Sequence, residues 1–526
     1  MIASAEDVDL SRLSAEIVIV GGGAVGLLAA VYLASRKVKV VVLEAGPVQL
    51  DQASQSIFES AVSSGRKHIG IYQGRFRALG GTTNFWGGQL VRFDSLVFSP
   101  RPWVSEGSWP LGIDAIEPFY KECEALLDVP TELNEDEKVI AEVKPPDEFR
   151  DNDLKYFFTR WLTEKNFRFR FARVLASNEY VTVVTRAPVT SLRLGPDLRN
   201  VAAVVVRGPQ GPVEVAARYF ALANGTIELV RLLQHRTADG GMAPWSDNRW
   251  LGRGFMDHLE GTIATLAPIN RKLFRALFNN VFIKGMKLQP RLKLAEELQS
   301  RDKLLGAALH VKFDTELEEH VQNAKIFISG LLKGRFSDPK KILPEFWAAM
   351  RLGFPMAWHY VVNRSIWSPS GGNIQIRVML EHAPLGDSTI KLTEKRDENG
   401  MQLPELKWTI STEREIKTIQ TVARLAKQYF ESRNVARVTI LEDVIAGGSN
   451  LLESFVDTFH HMGGARMARS ELDGFVDPMS RVFGSENLYL MGAAIFPVSG
   501  FANPTFTAMA LALRTAEKIK QRLVLQ

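Results

Sequence analysis

The sequence predicts an α/β fold in which a Rossmann-like dinucleotide-binding domain is assembled from discontinuous segments and carries an inserted α+β domain. Three observations lead there. Residues 16–20 (EIVIV) and 38–43 (VKVVVL) are short β-forming runs separated by a glycine turn and a helix-like stretch to about Arg36, which makes one βαβ unit. The last eighty residues return to the glycine-rich, apolar style of that unit. The middle, about 263–444, reads differently, with long mixed strands, basic helices and the loop SPSGG at 368–372.

Between these landmarks a polar stretch leads to a dense glycine cluster at 80–88. Trp109 and Pro110 then precede a helical segment from about Asp114 to Leu127. Strands are expected at 181–185, 189–194, 201–207 and 213–222, the last running into a helix that begins at Thr226. There is no internal repeat and no low-complexity region.

Gly21-Gly22-Gly23-Ala24-Val25-Gly26 fits GxGxxG directly after a strand and at the opening of a helix. Gly21 permits the tight turn, Gly23 lets backbone N–H groups approach a pyrophosphate, and Gly26 allows close helix–sheet packing. Glu44 ends the second strand, where a carboxylate accepts hydrogen bonds from a ribose and disfavours a 2′-phosphate. Glycine turns also occur without a ligand, and this motif does not separate FAD from NAD.

A chain of 526 residues with 46% hydrophobic and 23% charged residues has ample apolar material for two or three intertwined domains. A net charge of +5 is small for this size and gives no argument for a nucleic-acid partner. Cys123 is the only cysteine, which excludes an internal disulfide, a cysteine-ligated iron–sulfur cluster and a CxxC pair. The uncharged run 17–35 contains four glycines and follows acidic, not basic, residues. The run 488–513 is interrupted by Pro497, Gly500, Asn503 and Pro504. Both read as buried parts of the fold, and with no targeting segment visible the expected location is cytoplasmic.

Gly80-Gly81-Thr82-Thr83-Asn84-Phe85-Trp86-Gly87-Gly88 resembles the second flavin signature of the glucose–methanol–choline (GMC) oxidoreductase family. The block from His460 to Arg514, with HHMGGARM and then GFVDPMSRVFGSENLYLMGAAIFPVSGFANPTFTAMALALR, resembles that family's closing signature. The Asn-Pro-Thr arrangement is nearest to the pyranose 2-oxidase-like branch. The resemblance implies an FAD-binding domain from 1–110, 165–262 and 445–526. It also implies a substrate-binding domain from 111–164 and 263–444, built on an antiparallel sheet. It assigns Gly80, Gly81, Thr82, Asn84, Phe85, Trp86, Gly87, Gly88, Val189, Gly492, Ala493, Asn503, Pro504 and Thr505 to the cofactor, beside Gly21, Gly23, Gly26 and Glu44. A surface loop is the alternative for 80–88, and Phe85 and Trp86 within it argue for burial. Asn503, just before Pro504, also fits a helix N-cap.

Alcohol oxidation by hydride transfer to flavin N5 needs a base near neutrality for the hydroxyl proton, which favours histidine. The family's catalytic histidine falls on His460, with Asn503 in the partner position; His461 is expected to point elsewhere. Relatives of the pyranose 2-oxidase branch tether FAD through a histidine before the signature tryptophan. Phe85 stands at that place and cannot form the bond, so the FAD is expected to be non-covalent. No metal is expected.

Two stretches are basic and aromatic. Residues 268–293 carry Arg271, Lys272, Arg275, Lys284, Lys287, Arg291 and Lys293 without an acid, and 325–364 is similar. Either they are solvated helix faces, or they contact a membrane surface, an anionic substrate or a redox partner. The resulting expectation is oxidation of a small-molecule alcohol, a sugar, glycoside or related polyol, with oxygen or another electron acceptor. The same chemistry on a lipidic alcohol at a membrane surface and a non-catalytic flavin-binding protein are the alternatives.

Overall fold

The computed structural model describes residues 1–314 and 373–525. The basic stretch 325–364 and the loop 368–372 lie outside the described residues. Six strands form a parallel sheet in the order Ile2–Ser4, Val181–Thr185, Val40–Leu43, Ile17–Val20, Tyr219–Leu222, Leu488–Leu490. Parallel strands covered on both faces need apolar residues at every position. Ile17–Val20, Val40–Leu43, Tyr219–Leu222 and Leu488–Leu490 are accordingly buried throughout.

The helix Ala24–Ala34 follows the first glycine turn. Its sequence AVGLLAAVYLA has no polar face, so it is buried almost all round against the C-terminal helix Pro504–Leu525. Strand order reverses at Ile17–Val20, between Val40–Leu43 and Tyr219–Leu222. In such sheets the crevice for a ligand opens at the carboxyl ends of the strands at this reversal.

The expected strand 213–222 is two strands in different sheets. Gly211–Ala216 closes a three-stranded antiparallel meander with Val189–Leu194 and Val201–Gly208, whereas Tyr219–Leu222 enters the parallel sheet. A continuous run of β-formers hides such a break, because periodicity does not mark where a strand changes partner.

The second large sheet is antiparallel, as the resemblance implied. Its path runs Ala436–Ile440, Leu259–Pro268, Asn373–Leu380, Ala307–Asp314, Met286–Leu294, Leu154–Trp161, Gln89–Leu90. The short strand Val456–Asp457 pairs with the start of Leu259–Pro268, Leu259 opposite Asp457. A second bridge joins Met256 and Met462, whose N–H groups each donate to the other's carbonyl at 2.9 Å. Asp257 and His258 are therefore held between two backbone bridges, facing 458–461.

Candidate active site

A cavity of about 300 Å³ opens at the carboxyl ends of the parallel strands. Its wall includes Gly21, Glu44, Asn224 and Gly492, each just beyond a different strand of the sheet. Gly21 has φ of +104°, and a Cβ there would stand 2.6 Å from the Ala223 carbonyl oxygen. At Gly23, on the same wall, a Cβ would meet no protein atom within 4 Å, so the space beside that backbone is open. Gly26 does not line the cavity; a Cβ there would lie 2.0 Å from the Gly21 carbonyl oxygen, which is the close packing the motif requires.

Glu44 accepts hydrogen bonds from the N–H groups of Gly22 and Gly46, both at 2.8 Å. Burial pushes its carboxyl up to about 7, against the pull of the Gly46 and Gly22 N–H groups. Each oxygen keeps a further lone pair for a hydroxyl donor. Asn224 Oδ1 is buried on the same wall without a partner. A glycine cradle open at Gly23, a carboxylate with spare acceptor capacity and an orphaned amide oxygen fit the pyrophosphate and the sugar hydroxyls of FAD.

Gly81, Thr82, Val189, Ala493, Pro504, Thr505 and His460 also reach this cavity. Gly80, Asn84, Phe85, Trp86, Gly87, Gly88 and Asn503 are not on its wall. The Asn84 side chain donates to the carbonyls of Leu79 and Gly81, and Trp86 Nε1 donates to the Lys165 carbonyl. Gly87 packs on the ring of Trp161, where a Cβ would come within 2.5 Å. The expectation that Phe85 is buried is corrected: it is 61% exposed and stacks on Phe76 with centroids 4.3 Å apart. One aromatic partner is enough to hold a ring on an open loop.

Across the site from the cradle, Asn503 Nδ2 lies 2.8 Å from His460 Nε2, so the two expected catalytic residues meet. Hydrogen bonding behind His460 sets its tautomer. His258 Nε2 lies 2.9 Å from the Gly500 carbonyl oxygen, which only accepts, so this nitrogen carries the proton. Burial pushes the His258 imidazole down to about 3, with the neighbouring His460 acting in the same direction; it is neutral, and its Nδ1 is a bare acceptor. His460 Nδ1, 3.0 Å away, is then the N–H donor. Thr458 Oγ1, 2.8 Å from the same nitrogen, also takes that N–H while its own hydroxyl donates to Asp257 Oδ1 at 2.9 Å. His460 Nε2 therefore carries no proton, and its lone pair accepts the Asn503 amide N–H.

Asp257 Oδ1 further accepts from the N–H groups of Thr458 and His460, and Oδ2 takes His68 Nε2 at 3.0 Å. Burial opposes ionisation of Asp257, but the His68 hydrogen bond and the surrounding histidines hold its carboxyl well below the usual carboxylate range. Burial also lowers the His460 imidazole, opposed by Asp257 and assisted by Arg291. The loop before Asn503 is anchored at Gly500, whose N–H donates to Glu381 at 2.9 Å. Glu381 is in turn gripped by Arg101 at 2.6 and 2.7 Å and is buried with it.

His461, also on the cavity wall, turns its ring toward His68 and Phe255 with centroids 5.3 and 5.9 Å apart. His68, Asp257 and His461 bring three ligand-type atoms within 4.8 Å of one another. Yet His68 Nδ1 accepts from the Ile71 N–H, which puts the proton on Nε2, the nitrogen facing Asp257. That donor has no lone pair to give a metal.

Asp257, His258, Thr458, Glu381 and Arg101 were not among the residues expected from sequence. An Asp-His pair directly before a strand, in a chain with nine histidines, is the one signal that marks part of this set. In the basic stretch 268–293, Lys284 and Lys293 pair with Glu132 and Asp94, Lys287 sits over Trp161 at 3.7 Å, and Arg291 is buried. These four charges do not form an open patch. No helix of the described residues is long and apolar enough to cross a membrane.

Comparison with known proteins agrees with this architecture. Residues 16–244 match the model described as FAD dependent oxidoreductase, and residues 384–512 match the model described as GMC oxidoreductase. Dehydrogenase pkfF of Emericella nidulans is 25% identical over 356 residues, 63% of this chain and 54% of its own. Paromamine 6'-oxidase of Streptomyces fradiae is 24% identical over 151 residues, 29% of this chain and 26% of its own. The chain thus spans about half or less of the length of the curated relatives it matches. Pyridoxine 4-oxidase of Mesorbium loti has the same fold, with a TM-score of 0.57 at 14% identity over 97% of this chain and 99% of that one.

Proposed function

The chain belongs to the GMC oxidoreductase family, and on that premise we propose that it oxidises a CH–OH group of a sugar, glycoside or related polyol to a carbonyl. The observation that carries this reading is the bare Nε2 of His460 paired with the amide of Asn503 beside the cradle. FAD, held without a covalent bond by the residues around Gly21, Gly23, Glu44 and Asn224, supplies the hydride acceptor when bound.

The substrate hydroxyl displaces or shares the Asn503 contact and donates its proton to His460 Nε2. Asn503 then orients the oxygen but takes no proton, since an amide is no base. The resulting imidazolium carries N–H at Nδ1 against Thr458 Oγ1 and the bare Nδ1 of His258, with the Asp257 carboxylate one hydroxyl further. A buried anion at that place stabilises the cation formed during the reaction.

The sugar-like substrate rests on the Asn-Pro-Thr resemblance and on the likeness to paromamine 6'-oxidase. The test is anaerobic mixing of the flavin-loaded protein with a panel of sugars, glycosides and long-chain alcohols, followed by flavin bleaching. Bleaching by sugars or glycosides is the expected result. Bleaching by long-chain alcohols alone moves the substrate to the lipidic class, and no bleaching with any donor points to a non-catalytic flavin protein.

A further inference from the structure

A second cavity, about 1170 Å³ and sharing no wall residue with the first, lies between the loop around Trp109, the segment 249–254, the start of the helix Glu413–Ser432 and residues 466–469. Five guanidinium groups line it: Arg249, Arg253, Arg414, Arg466 and Arg469. The wall carries two carboxylates, Glu106 and Asp473. None of the five arginines lies within 4.0 Å of a carboxylate among the described residues. Three buried arginines elsewhere are paired: Arg75 with Glu228, Arg101 with Glu381, Arg231 with Asp397.

Three of the five are fixed by main-chain carbonyls. Arg466 Nε donates to Asp473 O at 2.6 Å, Arg249 Nη2 to Leu472 O at 2.7 Å, and Arg414 Nη1 to Val104 O at 3.2 Å. Arg466 also lies 3.2 Å over the Trp250 ring, with Arg249 at 4.8 Å from the same centroid. A guanidinium has five N–H donors, so each of these keeps donors for a further acceptor. Arg249, Arg253, Arg414 and Arg469 are exposed at the rim, and Arg466 is half-buried. Burial lowers the Arg466 guanidinium to about 10, helped by the neighbouring Arg249 and opposed by Asp473 and Glu106.

A concave wall with five cations against two anions concentrates anionic ligands, and arginine is the side chain suited to two-pronged binding of phosphate or carboxylate. The guanidiniums come from three separate segments around a space larger than one phosphate fills. We propose that this cavity binds a small molecule carrying two or more phosphate or carboxylate groups, at a site separate from the flavin. The prolines at 100, 102, 110, 384 and 497 in its wall stiffen the loops, so the site is preformed.

The experiment is calorimetric titration of the flavin-loaded protein at low ionic strength, with inorganic pyrophosphate in one arm and citrate in the other. Saturable binding of at least one of them at a single site is expected, weakening as sodium chloride is added and leaving the flavin spectrum unchanged. Pyrophosphate binding alone makes the ligand a phosphate compound, and citrate binding alone a polycarboxylate. Arg466→Gln should weaken binding about tenfold or more, the loss of one charge-assisted contact. Because Arg466 also supports Trp250, the exposed pair Arg253→Gln/Arg469→Gln serves as the second variant and should give a similar loss with unchanged melting. Absence of saturable binding in both arms, or binding that neither variant weakens, overturns the proposal.

Discussion

Thr458 Oγ1 stands between Asp257 Oδ1, at 2.9 Å, and His460 Nδ1, at 2.8 Å, so one hydroxyl couples a buried carboxylate to the imidazole proposed as the base. Thr458→Val removes that coupling while keeping the shape of the side chain. Flavin reduction should slow by about tenfold or more, the loss of a hydrogen bond to a group that becomes charged. Thr458→Ser should restore it, which a purely packing role for the threonine would not.

His460→Ala should leave FAD binding intact and lower the rate of flavin reduction by roughly two to four orders of magnitude. Asn503→Ala should fall between this and the parent, because the base stays and the oxygen loses its orienting partner. His461→Ala should cost far less, since its ring faces His68 and Phe255. Rapid-mixing measurement of flavin reduction under anaerobic conditions decides all three. A His461 effect larger than the His460 effect would move the base by one position.

The pH profile of flavin reduction should have its acid limb below pH 6.5. The His460 imidazole is lowered by burial, so it stays deprotonated and competent as a base further into the acid range than a free histidine. A limb centred above 6.5 would contradict this environment.

Gly23→Val should yield a folded protein without flavin. The backbone at Gly23 is extended, with φ of −82° and ψ of −167°, and the new side chain meets no protein atom at its Cβ, so the fold accepts it. The same side chain fills the open space proposed for the pyrophosphate. The ratio of flavin to protein absorbance, read beside the melting temperature, checks both halves. In the parent protein, acid precipitation should release all the flavin into the supernatant if, as proposed, the cofactor is held without a covalent bond.

In the flavin-free protein, stability should fall as pH rises from about 4.5 to about 7. Glu44 is raised from 4.5 to about 7 on folding, so in that window the folded chain holds a proton that the unfolded chain releases. The full difference corresponds to about 3 kcal/mol at 1.36 kcal/mol per pH unit. Below the window both states are protonated and the loss is absent; above it the loss is complete. Glu44→Gln should flatten this part of a urea-denaturation profile.

What the sequence made legible was local. Gly21 and Glu44 could be placed because one turn and two strands lie within thirty residues of each other. His460 and Asn503 could be placed because each sits in a recognisable block. Asp257 and His258 could not, since only the pairing of Leu259 with Asp457 and of Met256 with Met462 brings them to Thr458 and His460, some two hundred residues on. The glycine run at 80–88 misled in part, because a cluster that bends sharply presents only Gly81 and Thr82 to the cavity and sends Phe85 outward. The guanidiniums at 249, 253, 414, 466 and 469 gave no sequence signal at all, as they converge from separate segments.

The flavin cradle draws on a sheet whose neighbouring strands, Tyr219–Leu222 and Leu488–Leu490, are joined across more than 260 residues of chain. Contacts that distant form slowly, because a long loop must close before any pairing rewards it. Docking of Leu488–Leu490 and of the helix behind it should therefore come late in folding, and capture of FAD should follow it. Chains released before residue 490 should accumulate as flavin-free species with an exposed strand edge, the form most prone to aggregation and proteolysis.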